Sequence, residues 1–152
     1  LAALLGLTAM VLVAPAQAQE THVIEMLNKH PDYGRRRNVF HPQLVTVKPG
    51  DKVVFKSVER GHNAQTIKGM IPEGAEKFRG PLSKDYEVTF DKPGVYGVKC
   101  TPHYALGMVA VIVVEGEGLE ASLEQAKTVK HRGKARKIFE DLLAEVKVPA
   151  AS

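Results

Sequence analysis

Pro-Gly turns divide residues 21–115 into short segments, and this punctuation restricts the chain to a β-rich fold. Pro49-Gly50-Asp51 stands between two apolar segments and predicts a turn joining two strands, and Pro93-Gly94 predicts another. The predicted strands cover residues 23–27, 44–47, 53–55, 86–90, 95–99 and 108–114. The last is a continuous β-branched run, typical of a strand buried on both faces. Six or so short strands separated by turns predict a β-sandwich or a barrel.

The C-terminal part of the chain changes to a helical pattern. Residues 119–127 and 134–146 carry helix formers, and Gly133 separates them as a stop signal. The second segment has one apolar stripe, formed by Ile138, Leu142 and Val146 with Phe139 and Leu143 beside them. A basic amphipathic helix can also lie on a membrane surface. We expect instead that the stripe covers one side of the sandwich.

The first eighteen residues differ from the rest of the chain. Residues 1–13 are almost wholly apolar, Ala16 and Ala18 form an A-x-A pattern, and no charge precedes Glu20. This pattern is typical of a secretory signal peptide, although a retained N-terminal anchor is the alternative. We therefore expect residues 1–18 to be a signal peptide and residues 19–148 to form a single domain, with its helical tail from about 119. The mature protein would then be periplasmic.

The charge distribution favours protein partners. Twenty-one Lys and Arg against 17 Asp and Glu give a net charge of +4, but the two signs alternate along the chain. No nucleic-acid motif is present, so we do not expect nucleic acid as a partner. Because the apolar stripe of the tail is expected to cover the sandwich, we do not expect a membrane as a partner either. A modest positive balance suits docking to acidic proteins. The triplet Arg35-Arg36-Arg37 is expected to be a solvated face of a polar loop.

The chemistry of the chain is concentrated around its one cysteine. Cys100 cannot form a disulfide within the chain, and a lone thiol in an exported protein needs an occupant. With His103 and Met108 it brings thiolate, imidazole and thioether to one tight loop between two predicted strands. Gly61-His62-Asn63, at another strand end, supplies a second imidazole. This set is typical of a blue-copper electron-transfer site, with a His₂Cys plane and a weak axial Met.

Two other classes of function compete with an electron carrier. An enzyme would use Cys100 as nucleophile with His103 or His62 as base, but no oxyanion motif is present and Met108 is left unexplained. A storage or delivery module for copper, or a structural zinc site, is the second alternative. Zinc rarely takes a thioether, and copper delivery usually needs several Met or paired Cys ligands. An electron carrier, not an enzyme, is therefore the favoured interpretation.

Residues 61–78 and 93–104 resemble the cupredoxins, the blue-copper proteins, and the similarity extends over the chain after residue 18. It includes the two-helix tail, which plastocyanins lack; the main departure is residues 30–38, a few residues longer than usual. The resemblance implies an eight-stranded Greek-key β-sandwich with two C-terminal α-helices. It also implies one type 1 copper per chain, held by His62, Cys100, His103 and Met108.

The resemblance also implies roles for residues around those ligands. Asn63 would tie the two ligand loops together, and Pro102, which has no N–H, would leave the Cys100 sulfur with fewer hydrogen bonds. An exposed edge of His103 would lie in a small apolar patch formed by Pro72, Pro102, Ala105 and Leu106. Around it we expect a basic ring that steers acidic partners, formed by Lys29, Arg60, Lys77, Arg79 and Lys99.

The physiological role that the resemblance implies is a mobile periplasmic shuttle. It would carry single electrons between c-type cytochromes and a terminal reductase such as nitrite reductase. We expect a monomer, because a shuttle must release its partners quickly and no large apolar face is apparent in the sequence.

Overall fold

The structure is a computed structural model that describes residues 17–150. The predicted signal peptide lies outside the described residues, except for Gln17 and Ala18. The strands are β1 (Thr21–Lys29), β2 (Arg37–His41), β3 (Leu44–Val47), β4 (Asp51–Lys56), β5 (Gln65–Thr66), β6 (Tyr86–Phe90), β7 (Gly94–Lys99) and β8 (Val109–Val114). The helices are α1 (Leu119–Lys127) and α2 (Lys134–Glu145). Within the described range, no helix combines the length and hydrophobicity that crossing a membrane requires.

The eight strands form two four-stranded sheets. One sheet has the order β2-β1-β4-β6 and the other the order β3-β8-β7-β5. β1 runs parallel to β4 and β3 runs parallel to β8, whereas the other neighbours are antiparallel. The predicted eight-stranded sandwich with two C-terminal helices is confirmed. β2 and β5 were not predicted from the residue pattern, because β2 is mostly polar and β5 has only two residues.

Strand β8 separates two hydrophobic cores. Its residues Ala110, Ile112 and Val114 face the core between the sheets, where aromatic side chains such as Phe40, Phe55 and Phe90 lie. The alternate residues Val109, Val111 and Val113 face a second core beneath the helices. Because successive side chains of a strand point to opposite faces, a strand covered on both sides must be apolar throughout. The predicted doubly buried strand is therefore confirmed, since all six residues of β8 are buried.

The two helices cover the outer face of the second sheet. α1 buries Leu119, Leu123 and Ala126. α2 buries Ala135, Phe139, Leu142 and Leu143, so the apolar stripe packs on the sandwich as expected. Burying each Leu or Phe side chain stabilises the fold by about 1.5–3 kcal/mol. The helical tail thus contributes to the second hydrophobic core, on the outer face of the second sheet.

Two connections bring the predicted ligands to one end of the sandwich. Residues 100–108 join the C-terminal end of β7 to the start of β8, and His62 follows the C-terminal end of β4. The turn that precedes β4, at Pro49-Gly50, lies at the opposite end of that strand. A six-residue strand is about 20 Å long, so the two ends of the sandwich are separate environments.

Candidate metal centre

Three of the predicted ligands converge at the end of the sandwich that carries residues 100–108. The two imidazole nitrogens, His62 Nδ1 and His103 Nδ1, lie 3.2 Å apart. Cys100 Sγ lies 3.8 Å from the first and 3.5 Å from the second. Donor atoms bound to one metal at about 2.0–2.3 Å lie roughly 3.3–3.8 Å from each other. The triangle of nitrogen, nitrogen and sulfur therefore has the dimensions that a single transition-metal ion requires.

Backbone hydrogen bonds fold the connection between β7 and β8 into a compact loop. The N–H of Cys100 donates to Met108 O over 3.0 Å, and the N–H of Met108 donates to His103 O over 3.1 Å. Gly107 has a φ of 95°, in the left-handed region that favours glycine, and so lets the chain turn back into β8. Met108 is fully buried and shares its hydrophobic cluster with Cys100. The loop thus fixes its cysteine, histidine and methionine relative to one another.

Asn28 orients the ring of His62. Its Oδ1 lies 2.8 Å from His62 Nε2, on the side of the ring away from the cluster. Because the amide oxygen only accepts, Nε2 carries the proton and Nδ1 presents its lone pair to Cys100. This residue was not among those predicted for the site. Its position depends on the parallel pairing of β1 with β4, which brings the end of β1 beside the end of β4.

Asn63 joins the loop of His62 to the loop of Cys100. Its Oδ1 accepts a hydrogen bond of 2.8 Å from the backbone N–H of Thr101. Its Nδ2 donates to Thr101 Oγ1 over 3.0 Å and to Gly80 O over 3.2 Å. Asn63 is almost completely buried, so water does not compete for these bonds. One amide side chain therefore links the two loops directly.

The ionisation of the two histidines favours metal binding. Burial lowers the pKa of His62 and of His103, and the charge of His103 lowers that of His62 further. Both rings are therefore neutral at pH 7, with lone pairs available. Burial raises the pKa of the Cys100 thiol, although hydrogen bonds from the backbone N–H groups of Asn63 and His103 act in the opposite direction. Without a metal, the raised pKa makes this thiol a poor nucleophile, which counts against an enzymatic role. A bound metal cation would displace the proton from the sulfur, so the same burial is compatible with a metal ligand.

The residues predicted to surround His103 differ in their exposure. His103 is half-buried, and Pro102, Ala105 and Leu106 around it are exposed. Lys99 is half-buried, with its Nζ 5.2 Å from the centre of the Tyr104 ring. The other cations predicted for the basic ring are exposed: Lys29, Arg60, Lys77 and Arg79.

Pro72 requires a correction. It was predicted to join the apolar patch around His103, but it is buried. A Cβ added to Gly94 would lie 2.4 Å from the Pro72 ring and 2.7 Å from Ser122 Oγ. Pro72 thus packs beneath α1 at the start of β7, whereas Cys100 follows the end of the same strand. It supports the helical tail and is absent from the surface near His103.

The helical tail contacts the outer side of the ligand loop. Tyr104 Oη and His131 Nδ1 are joined by a hydrogen bond of 2.6 Å, and the N–H of Lys134 donates to Ala105 O over 2.9 Å. A Cβ added to Gly133 would lie 2.3 Å from Ala105 O, so only glycine permits this approach. The connection between α1 and α2 therefore holds the residues that follow His103.

A second cluster of potential ligands lies at the other end of β4. Glu20, His22 and Asp51 bring donor atoms within 4.8 Å of one another. The carboxylate of Asp51 accepts hydrogen bonds from the backbone N–H groups of Glu20 and Lys48, each 2.9 Å long. Its Oδ2 also lies 3.1 Å from His22 Nε2. These contacts tie the start of β1 to the turn before β4.

Known proteins are similar to this chain in both sequence and fold. Residues 32–115 match the copper-binding proteins of the plastocyanin/azurin family. A pseudoazurin from Methylorubrum extorquens is 43% identical over 132 residues, which are 87% of this chain and 85% of that protein. A pseudoazurin from Paracoccus pantotrophus is 42% identical over 135 residues, 89% of each protein. The crystal structure of pseudoazurin from Hyphomicrobium denitrificans, 34% identical, superposes with a TM-score of 0.77 over 84% of this chain and 99% of that one.

Proposed function

The chain belongs to the pseudoazurins, within the plastocyanin/azurin family of copper-binding proteins, and on this premise we propose that it is a periplasmic carrier of single electrons. It binds copper, and it has the sandwich and the helical tail of its relatives. The observation that carries the proposal is the triangle of His62 Nδ1, Cys100 Sγ and His103 Nδ1, with sides of 3.2–3.8 Å.

The proposed copper ligands are these three atoms and the sulfur of Met108. Bound copper would supply one-electron chemistry, because it alternates between Cu(I) and Cu(II). Cu(I) favours thiolate and thioether and Cu(II) favours imidazole, so this set of ligands suits both states. Asn28 holds the ring of His62, and Asn63 holds the backbone next to Cys100. Because the side chains of His62, Cys100 and Met108 are completely buried, packing also opposes their movement. Ligands held in this way rearrange little when the charge at the site changes, and electron transfer is then fast.

Electrons would enter and leave through the half-buried ring of His103. The exposed side chains of Pro102, Ala105 and Leu106 surround it, and Leu106 is 53% exposed. A small apolar contact of this kind lets a partner approach closely and dissociate quickly. The proposed partners are acidic redox proteins: c-type cytochromes and a terminal reductase such as nitrite reductase. Residues 1–18 would direct export, and residues 19–148 would form the mature domain, which acts as a monomer.

Copper storage or delivery is a less satisfactory proposal for the same residues. A delivery site must pass its metal to another protein, which requires ligands that a partner can reach. His62 and Cys100 have no exposed surface, and Asn63 closes the gap between their loops. Buried ligands would exchange copper slowly, but they do not hinder an electron that leaves through His103.

The test is an optical and EPR spectrum of the mature protein with one equivalent of Cu(II), recorded before and after addition of ascorbate. An intense visible thiolate-to-copper band with narrow copper hyperfine splitting, bleached by ascorbate and restored by an oxidant, would support a redox site. A colourless protein, or a weak band that ascorbate does not bleach, would contradict it. The same sample can then be mixed with a reduced acidic c-type cytochrome in a stopped-flow instrument to measure the electron-transfer rate.

A further inference from the structure

The long loop that follows β1 is a hydrogen-bonded turn. Nδ1 of His30 accepts hydrogen bonds from the backbone N–H groups of Asp32 and Tyr33, each 3.1 Å long. The N–H of His30 donates to Arg36 O over 2.9 Å, and the N–H of Arg36 donates to Tyr33 O over 2.8 Å. His30 is 8% exposed, and its ring contacts those of Tyr33 and His41. The histidine therefore organises the loop from within, and the side chains on its outer face have defined positions.

The outer face of this loop carries positive charge that is not neutralised. Arg35, Arg36 and Arg37 are exposed, and no salt bridge within residues 17–150 involves an arginine. Lys29 stands directly opposite Arg37 across the pairing of β1 with β2. Like charges in opposite positions of a sheet destabilise it. Asp32 is the acidic residue of this loop, and its single negative charge is too small to neutralise the three positive charges of the arginine triplet.

A groove connects the loop with the copper end of the molecule. It encloses about 360 Å³ and is lined by Arg35, Arg36, Arg37, Asn38, Val39, Leu106, Gly107, Lys134 and Ile138. One wall is thus the arginine triplet, and the opposite wall is the loop that carries His103. The first residue of α2, Lys134, adds a fourth cation. No carboxylate lines the groove.

We propose that this groove binds a carboxylate-rich segment of the electron-transfer partner, so that the arginine triplet is part of the docking surface. The inference rests on the proposed function, because the partner is the protein that exchanges electrons through His103. Guanidinium groups bind carboxylates through two parallel hydrogen bonds, which fixes orientation as well as attracting charge. A partner segment in the groove would contact Leu106, and its surface would then lie next to His103.

The composition of the surface favours a protein over a free phosphate or another small anion. Tyr33 is 63% exposed and Leu106 is 53% exposed, so aromatic and aliphatic side chains stand beside the arginines. Arginine and tyrosine dominate the energetics of protein interfaces, where apolar contact and charge recognition occur together. Such contacts would add nothing to the binding of a small inorganic anion.

The experiment compares the paired substitution Arg35→Gln and Arg36→Gln with a matched control, Lys48→Gln and Lys147→Gln, in the full copper-loaded protein. Both pairs remove two positive charges. Lys48 precedes β4 at the opposite end of the sandwich, and Lys147 follows α2, whose twelve residues extend about 18 Å from Lys134. The probe is an acidic c-type cytochrome, and the readout is the second-order rate of electron transfer as a function of ionic strength.

We expect the arginine pair to slow the reaction about three- to tenfold at low ionic strength, and the control pair less than twofold. The difference should disappear in about 0.5 M salt, where exposed charges are screened. Lys134→Gln alone should slow the reaction less, and it provides an independent test if the paired variant folds poorly. Equal rates for the arginine and control pairs at every ionic strength would overturn the proposal.

The same variants distinguish a docking groove from a membrane-binding surface and from a failure of the copper site. If the wild type exchanges electrons with the cytochrome and retains its blue band while the arginine pair matches the control, the groove is not a docking site and the proposed function stands. If the wild type has neither the band nor the transfer, the proposed function itself fails. Sedimentation with phosphatidylglycerol vesicles that is lost only in the arginine pair, with unchanged cytochrome kinetics, would assign the groove to a membrane and overturn the proposal.

Discussion

The sandwich has a cluster of potential metal ligands at each end, and the two clusters differ in what their lone pairs already bind. At one end, the Nδ1 atoms of His62 and His103 face each other and the sulfur of Cys100. At the other end, both carboxylate oxygens of Asp51 accept backbone N–H groups. Those hydrogen bonds from Glu20 and Lys48 are the main reason that the pKa of Asp51 falls to about 2. Proximity of donor residues is therefore insufficient evidence for a metal site.

The comparison shows how similar residue types serve different purposes. Asp51 is an ionised group whose charge is satisfied by peptide N–H groups, and it closes a turn. The donors at the copper end are turned toward one another by partners on their outer sides, such as Asn28 behind His62. The cluster around Asp51 stabilises the fold, and the cluster around Cys100 holds lone pairs ready for a cation.

The sharpest test of this difference is Cys100→Ser. We expect the intense visible band to be lost completely, because a hydroxyl does not replace a thiolate as a donor to copper. The measurement is the visible spectrum after addition of one equivalent of Cu(II). Asp51→Asn serves as the matched variant and should keep the full band. A Cys100→Ser protein as blue as the wild type would contradict the assignment of the site.

A smaller effect is expected for Asn28→Ala, which removes the hydrogen bond behind His62. Partners that orient a ligand contribute about 10- to 100-fold to metal affinity. Copper affinity should therefore fall by about that factor, while the blue band remains because the thiolate is unchanged. Competition titration with a copper chelator measures the affinity. The control is Asn38→Ala, since Asn38 lies in β2 and has no hydrogen bond to His62. Equal affinity in the two variants would show that Asn28 does not orient the ligand.

Removal of the charge at the other end should affect stability alone. In Asp51→Asn, an amide replaces a carboxylate that accepts two backbone N–H groups and contacts His22. We expect the melting temperature of the metal-free protein to fall by several degrees. The reduction potential of the copper-loaded protein should not change, because the substitution lies at the other end of the sandwich. A shifted potential would break the proposed independence of the two ends.

The smallest expected effect is the pH dependence of the stability that the Asp51 carboxylate contributes to the fold. The folded pKa of Asp51, about 2, lies below its ordinary value of 3.8, so the folded state favours the ionised form. Its stabilisation is therefore fully present above about pH 4 and is lost as the pH falls toward about 2. Urea midpoints of the wild type and Asp51→Asn should converge over this interval. A difference that stays constant between about pH 7 and about pH 2.5 would show that the charge of Asp51 does not stabilise the fold.

The helices and strands that could be predicted are those whose own residues show a hydrophobic pattern. The β-branched run of β8 and the stripe of α2 could be recognised because every residue on a buried face must be apolar. The residues of the ligand loop could be recognised by the chemistry of their donor atoms. β2 and β5 escaped prediction because no local pattern marks them. β2 is mostly polar and is a strand through its pairing with β1, and β5 has two residues that pair with β7, which is distant in sequence.

The site residues that sequence reasoning missed or misplaced depend on the same kind of distant contact. Asn28 reaches His62 only because β1 pairs in parallel with β4. Pro72 lies beneath α1 because the tail folds back over the second sheet. The arginine triplet, expected to be an ordinary solvated loop, borders a groove whose other wall comes from residues 106–107. None of these relations leaves a periodic or compositional signal in a single sequence.

The contacts between the ligand loop and the helical tail have a consequence for protein engineering. Tyr104, Ala105 and Gly107 each contact the segment that leads into α2 or its first turns. A loop transplanted from a cupredoxin without these helices would arrive without the side chains and the small residues that fit this segment. The loop and the tail therefore form one cassette, and a redesign of the copper-binding loop has to exchange or preserve both together.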